Sequence, residues 1–131
     1  MSIRVLEQFV QGKHEDPALC EDRLVLTGHF AAVIDGVTSK SDYTWHGHSS
    51  GSYAGMLIAR VLESAPPAIS FDTLLATINH AFQEVYATLG LAAHMARHPK
   101  DRMQACLAAY SLHRNELWFV GDCQALVSGV L

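Results

Sequence analysis

Apolar and polar positions along this chain change their period twice, and the changes lay out its elements. Phe30-Ala31-Ala32-Val33-Ile34 is an unbroken apolar run that ends at Asp35-Gly36. A run of this length closed by turn residues predicts a strand buried on both faces. Asp35 and Gly36 then lie at its tip, where an Asp-Gly turn is the simplest reading. Just before it, Arg23-Leu24-Val25-Leu26 predicts a short strand, joined through Thr27-Gly28 as a hairpin. Residues 5–10 predict a first strand, and residues 11–19, with Gly12 and Pro17, a loop.

Residues 37–48 are mostly polar and predict an ordered surface loop. The period then becomes helical. Ser49 or Ser50 is placed to cap a helix that runs to about Ala65, buries Tyr53, Leu57, Ile58, Val61 and Leu62, and stops at Pro66-Pro67. Ser70 caps a second helix, whose Phe71, Leu74, Leu75, Ile78, Phe82, Val85 and Leu89 step by three and four along one face. Gly90 suits its C-terminal cap, with residues 91–98 as an alternative extension. Residues 103–113 predict a strand, Arg114-Asn115 a tight turn, and residues 116–120 another strand. Three strands, two helices and two strands predict an α+β fold, a β-sandwich layered with antiparallel helices.

Composition narrows the function classes. The 131 residues suit one domain with a real core, and 17% charged residues are ordinary for a globular chain. A net charge of -4 gives no basic footprint for nucleic acid. No apolar stretch approaches the ~20 residues that span a bilayer, and the N-terminus lacks the apolar centre of a signal peptide. Cys20, Cys106 and Cys123 form no CxxC, so a reducing cytosol is the expected compartment.

The hairpin brings candidate chemistry together. Antiparallel neighbours start and finish side by side, so Glu21 and Asp22 are expected beside Asp35. Three carboxylates in one place repel unless a cation sits among them. A Gly36 carbonyl free to turn toward them would add an oxygen ligand suited to Mg2+ or Mn2+. The plainer alternative is that Glu21 and Asp22 are solvated residues ahead of a strand. His46, His48, His94 and His98 suggest zinc only weakly, with no acid or thiolate at ligand spacing, and read as solvated histidines. Residues 49–52 before a helix read as a plain cap rather than an anion site. Cys123, beside Asp122, has no visible base and is a poor nucleophile.

Glu21-Asp22, then Asp35-Gly36, then two helices, then Leu117-Trp118-Phe119-Val120-Gly121-Asp122-Cys123 resembles the N-terminal part of the metal-dependent PPM/PP2C-type protein phosphatases. The short separation of Asp22 and Asp35 is similar to that in compact bacterial members. The resemblance covers nearly the whole chain but only about the first half of a family domain. It implies a two-metal Mn2+ or Mg2+ site whose activated water attacks a phosphoserine or phosphothreonine of a phosphoprotein substrate. By position it implies that Asp35 bridges the metals and that the Gly36 carbonyl ligates one. Glu21 and Asp22 would hold metal-bound waters, and Asp122 would attend a third metal.

The chain departs from the family pattern in several places. Val37-Thr38-Ser39-Lys40 replaces the histidine or methionine and the glycines usual after Asp-Gly. Pro17-Ala18-Leu19 stands where the phosphate-holding arginine belongs, so Lys13 or Arg23 would have to replace it. The family's two later metal aspartates have no counterpart. The expectation is therefore a single truncated domain over residues 1–131, weak or inactive alone. Either the gene continues past Leu131, or copies associate as a homo-oligomer through an exposed strand edge. A non-catalytic phosphatase-like binding module is the alternative.

Overall fold

A computed structural model describes residues 3–5, 8, 10, 21–37, 45–121, 123 and 125. The elements follow in the order β1 (Asp22–Leu26), β2 (Phe30–Val37), α1 (Ser50–Ser64), α2 (Phe71–Thr88), α3 (Ala92–Arg97), a 3-10 turn (Pro99–Asp101), β3 (Gln104–Ser111) and β4 (Glu116–Val120). The fold is α+β. The four strands form one antiparallel sheet in the order β1-β2-β3-β4, and the helices cover one of its faces. None of the described helices is long and apolar enough to cross a membrane. Of residues 5–10, the described ones (Val5, Gln8 and Val10) carry no strand; the others lie outside the described residues.

The strand around Val33 differs from expectation in two respects. It does not end at Asp35. It runs on through Gly36 to Val37, because β3 supplies partners as far as Val37 opposite Gln104. It is also buried on one face only: Phe30, Ala32, Ile34 and Gly36 face the helices, while Val33, Asp35 and Val37 are exposed. The sequence conceals this alternation because the outward positions up to Val33 are apolar too.

Helix α1 begins where its cap demands. Ser49 is extended, and its Oγ accepts from the Ser52 amide at 3.1 Å. Its inner stripe, Ile58 and Leu62, packs on Val25, Ala32, Ile34 and Leu107, with Leu74 and Ile78 of α2 closing the core. Full burial of each such side chain contributes about 1.5–3 kcal/mol. Ser70 caps α2 in the same way, accepting from the Thr73 amide at 3.1 Å.

The end of α2 is sharper than its apolar pattern suggests. Gly90 takes φ +71°, and its amide donates to the Ala87 carbonyl at 3.1 Å. The Leu91 amide donates to the Tyr86 carbonyl at 2.7 Å. This paired reversal ends the helix, so the separate helix α3 (Ala92–Arg97) follows rather than an extension. Leu89 is consequently exposed, and Tyr86 takes the buried place.

Of the expected surface loop, residues 38–44 lie outside the described residues and His46 and Gly47 are exposed in a turn, but Trp45 is not at the surface. Trp45 is fully buried, its ring stacked on Tyr53 with centroids 6.3 Å apart and tilted against Tyr86 at 5.8 Å. With Leu57, Met95 and Met103 they form a second core between α1 and α3. The polar neighbours of Trp45 hid its role.

Tyr86 anchors the start of β3. Its hydroxyl accepts from the Met103 amide at 2.9 Å in a buried setting. Burial raises the Tyr86 pKa above the ordinary value, against smaller lowering effects of that hydrogen bond and of Arg102. The folded state therefore favours the neutral phenol. Its contribution is full below about pH 10 and is lost as pH rises through the higher folded value. Tyr86→Phe should destabilise by about 1–3 kcal/mol at neutral pH, since a buried amide loses its acceptor. Urea melts at pH 8 and pH 11 check this: the variant should also lose part of the alkaline decline.

Candidate functional site

The acidic residues meet at one end of the sheet. Asp22 and Asp35 are direct register partners across β1 and β2. Just beyond them the Gly36 amide donates to the Glu21 carbonyl at 2.8 Å. Bonds in an antiparallel ladder alternate, so Asp22 and Asp35 form a non-hydrogen-bonded pair, the kind whose side chains lie closest, with Cα atoms about 4.5 Å apart. Both are exposed on the face away from the helices. Like charges directly opposite each other on neighbouring strands are destabilising.

Glu21 turns the other way. Successive strand residues point to opposite faces, and the Glu21 carboxylate lies against Gly51 in the first turn of α1. That turn carries no acidic residue of its own. Glu21, just ahead of β1, thus sets a carboxylate at the positive end of the helix. The expected gathering of three carboxylates is in this structure a pair on one face and a single acid on the other.

Gly36 and Gly51 let the helix start meet the strand. A Cβ on Gly36 would overlap the Gly51 carbonyl and lie 2.9 Å from the Glu21 carbonyl; one on Gly51 would overlap the Glu21 carboxylate. Only two glycines allow this approach. The Gly36 carbonyl belongs to a strand residue, so it lies in the plane of the sheet rather than being free to turn. The small residues of Ser49-Ser50-Gly51-Ser52 were the sequence signal for this close contact.

Around the pair, Cys106 lies opposite Asp35 in β3, and Gly121 packs on the Cys106 side chain. Cys123 lines a cleft of about 250 Å3 together with Asp22, Asp35 and Val33. Asp122 and Lys13 lie outside the described residues. Arg23 sits on the helix face of β1, its side chain against Gly55, with Nε buried and without a hydrogen-bond partner among the described residues. It also lines the cleft.

The histidines occupy ordinary places. His48 Nδ1 is 3.3 Å from the Ser52 hydroxyl. His94 Nε2 is 2.6 Å from Asp101 Oδ2, and its ring stacks on His98 with centroids 4.3 Å apart. An acid does stand beside His94, which the sequence spacing did not suggest. Among the described residues no three His, Cys, Asp or Glu side chains gather as a metal-holding group.

The chain matches no protein-family model, and no curated protein and no solved structure is similar to it.

Proposed function

We propose that this chain is a PPM-type phosphatase-like domain of the reducing cytosol, with a sandwich fold, acting on phosphomonoesters of a phosphoprotein. The observation that carries this reading is the direct pairing of Asp22 with Asp35 on an exposed face. Mg2+ and Mn2+ suit such a place: Mg2+ is commonly held by one or two carboxylates while keeping several waters that a phosphate can replace. Asp35 and Asp22 would hold the ion or its waters, and Asp122 would add an acid. When bound, the ion lowers the pKa of a water and offsets charge on the phosphoryl oxygens. The chain's own part is to fix the two carboxylates in register through β1 and β2. Glu21, committed to the helix start, holds the ends of β1, β2 and α1 together.

A non-catalytic binding module is the second reading, favoured by the exposed apolar positions Val33 and Val37 that flank Asp35. Hydrolysis of p-nitrophenyl phosphate with Mn2+ separates the two. Weak Mn2+-dependent turnover is expected of this chain alone, and Asp35→Asn should abolish it, because it removes the charge that holds the ion while leaving the strand intact. Turnover unchanged in Asp35→Asn would refute the site. No turnover at any Mn2+ concentration, even in a version of the chain extended at the C-terminus, would favour the binding module.

A further inference from the structure

Two cysteines flank Asp35 on the face of the sheet away from the helices. Cys106 is its register partner in β3, and directly opposed residues of an antiparallel pair send their side chains to the same side. Cys123 lines the cleft that Asp22, Val33 and Asp35 also line. Both cysteines are half-buried, and neither is in a disulfide. We propose that Cys106 and Cys123 are the two halves of a reversible disulfide, closed by hydrogen peroxide and reopened by a small-molecule thiol.

Gly121 sets the reach between them. Leu107 and Val120 are register partners, which puts the next residues, Cys106 and Gly121, side by side. Gly121 takes φ +82°, and a Cβ at that position would overlap the Cys106 sulfur, so backbone lies directly against the thiol. A single residue separates Gly121 from Cys123, which holds their Cα atoms within about 7 Å of each other. The chain does not leave the sheet over that step, because Cys123 lies beside Val33 and Asp35 of β2, the strand next to Cys106. A disulfide needs Cα atoms about 4.4–6.8 Å apart. The two cysteines share a neighbourhood of that size, and glycine at the pivot lets the backbone close it.

The chemistry balances with peroxide as the oxidant. One thiolate attacks a peroxide oxygen: an S–O bond forms, the O–O bond breaks, and the departing hydroxide takes a proton to become water. The second cysteine, as thiolate, attacks the resulting sulfenic sulfur: the S–S bond forms, the S–O bond breaks, and a second water leaves. Both sulfurs are oxidised while one peroxide is reduced to two waters. A small-molecule thiol reverses the bridge by exchange. Disulfides of this kind in a reducing compartment are transient and sense oxidants. Once closed, the bridge ties the segment after β4 to β3 across Asp35 and covers the acidic pair. Its effect on a bound cation rests on the phosphatase reading; the bridge itself does not.

Thiol counting and peptide mapping on the folded full chain test the proposal. The chain is reduced, freed of reductant and treated in dilute solution with equimolar hydrogen peroxide. The sequence holds three cysteines, so the titratable thiols should fall from three to one. The intact mass should drop by the two thiol hydrogens, and a non-reducing digest should yield a peptide linked through Cys106 and Cys123. Dithiothreitol should restore every thiol. Cys20→Ser, a change outside the described residues, should leave the bridge unaffected. Cys106→Ser and Cys123→Ser should each prevent it while keeping wild-type far-UV circular dichroism, and the wild-type peptide map decides the matter should either variant misfold. A bridge through Cys20, a bridge between two chains, or sulfinic acid at Cys106 with no linked peptide would overturn the proposal. So would thiols that all survive peroxide in the folded chain but react in urea.

Discussion

Gly36→Ala is expected to abolish stable folding. The new methyl group would overlap the Gly51 carbonyl and press on the Glu21 carbonyl, both backbone atoms. No rotamer change relieves such a contact, so α1 must lift off β2, and its core contacts with Ile34 and Leu107 loosen with it. Ordinary overpacking costs about 1–3 kcal/mol, occasionally more. A clash with fixed backbone belongs at or beyond the upper end, a large share of the 5–15 kcal/mol that holds a domain. Gly28→Ala is the internal control, since nothing lies within 4 Å of its Cβ position. Urea melts should show Gly28→Ala close to wild type and Gly36→Ala largely unfolded. A Gly36→Ala protein within 1 kcal/mol of wild type would show that α1 does not sit this close to β2.

Trp45 offers the second large effect. Trp45→Ala should cost about 3–5 kcal/mol, the usual range for emptying an aromatic site, because the ring is fully buried between Tyr53 and Tyr86. Its indole Nε1 is buried with no hydrogen-bond partner among the described residues. Trp45→Phe removes that desolvated donor while keeping an aromatic ring, so it should cost less than half as much as alanine. Equilibrium denaturation of the two variants checks the order. Equal losses would mean that the indole N–H is bonded in solution and that its hydrogen bond, not the ring, holds this corner.

Much of the fold was legible in the sequence, and the failures have physical causes. Ser49 and Ser70 marked both helix starts because a cap is a local event between neighbours. The hairpin was legible from its short connection, and with it the meeting of Asp22 and Asp35. The single buried face of β2 was not, because apolar side chains on both sides conceal which side the helices cover. Trp45 was hidden among polar neighbours, its partners Tyr53 and Tyr86 lying on two different helices. Glu21 was grouped with Asp22 by adjacency in sequence, whereas a strand sends adjacent side chains to opposite faces. The break at Gly90 was foreseen as a cap; that a new helix follows it depends on Met95 joining a core that only the folded chain assembles.

The strand order carries a consequence for how the chain reaches this state. β1 pairs with β2, and β3 with β4, across short turns, but the central seam joins Phe30 to Ser111 and Val37 to Gln104. All three helices lie in the loop that this seam closes. Closing a long loop costs chain entropy before any contact repays it. The two hairpins and α2 can form early, while the middle of the sheet waits for the helices to dock, which is a slow topology. Asp35 belongs to that last-formed seam. Until it closes, the β2 and β3 edges of the two hairpins are unpaired together, so the folding chain is most prone to associate wrongly through the strand edge that carries Asp35.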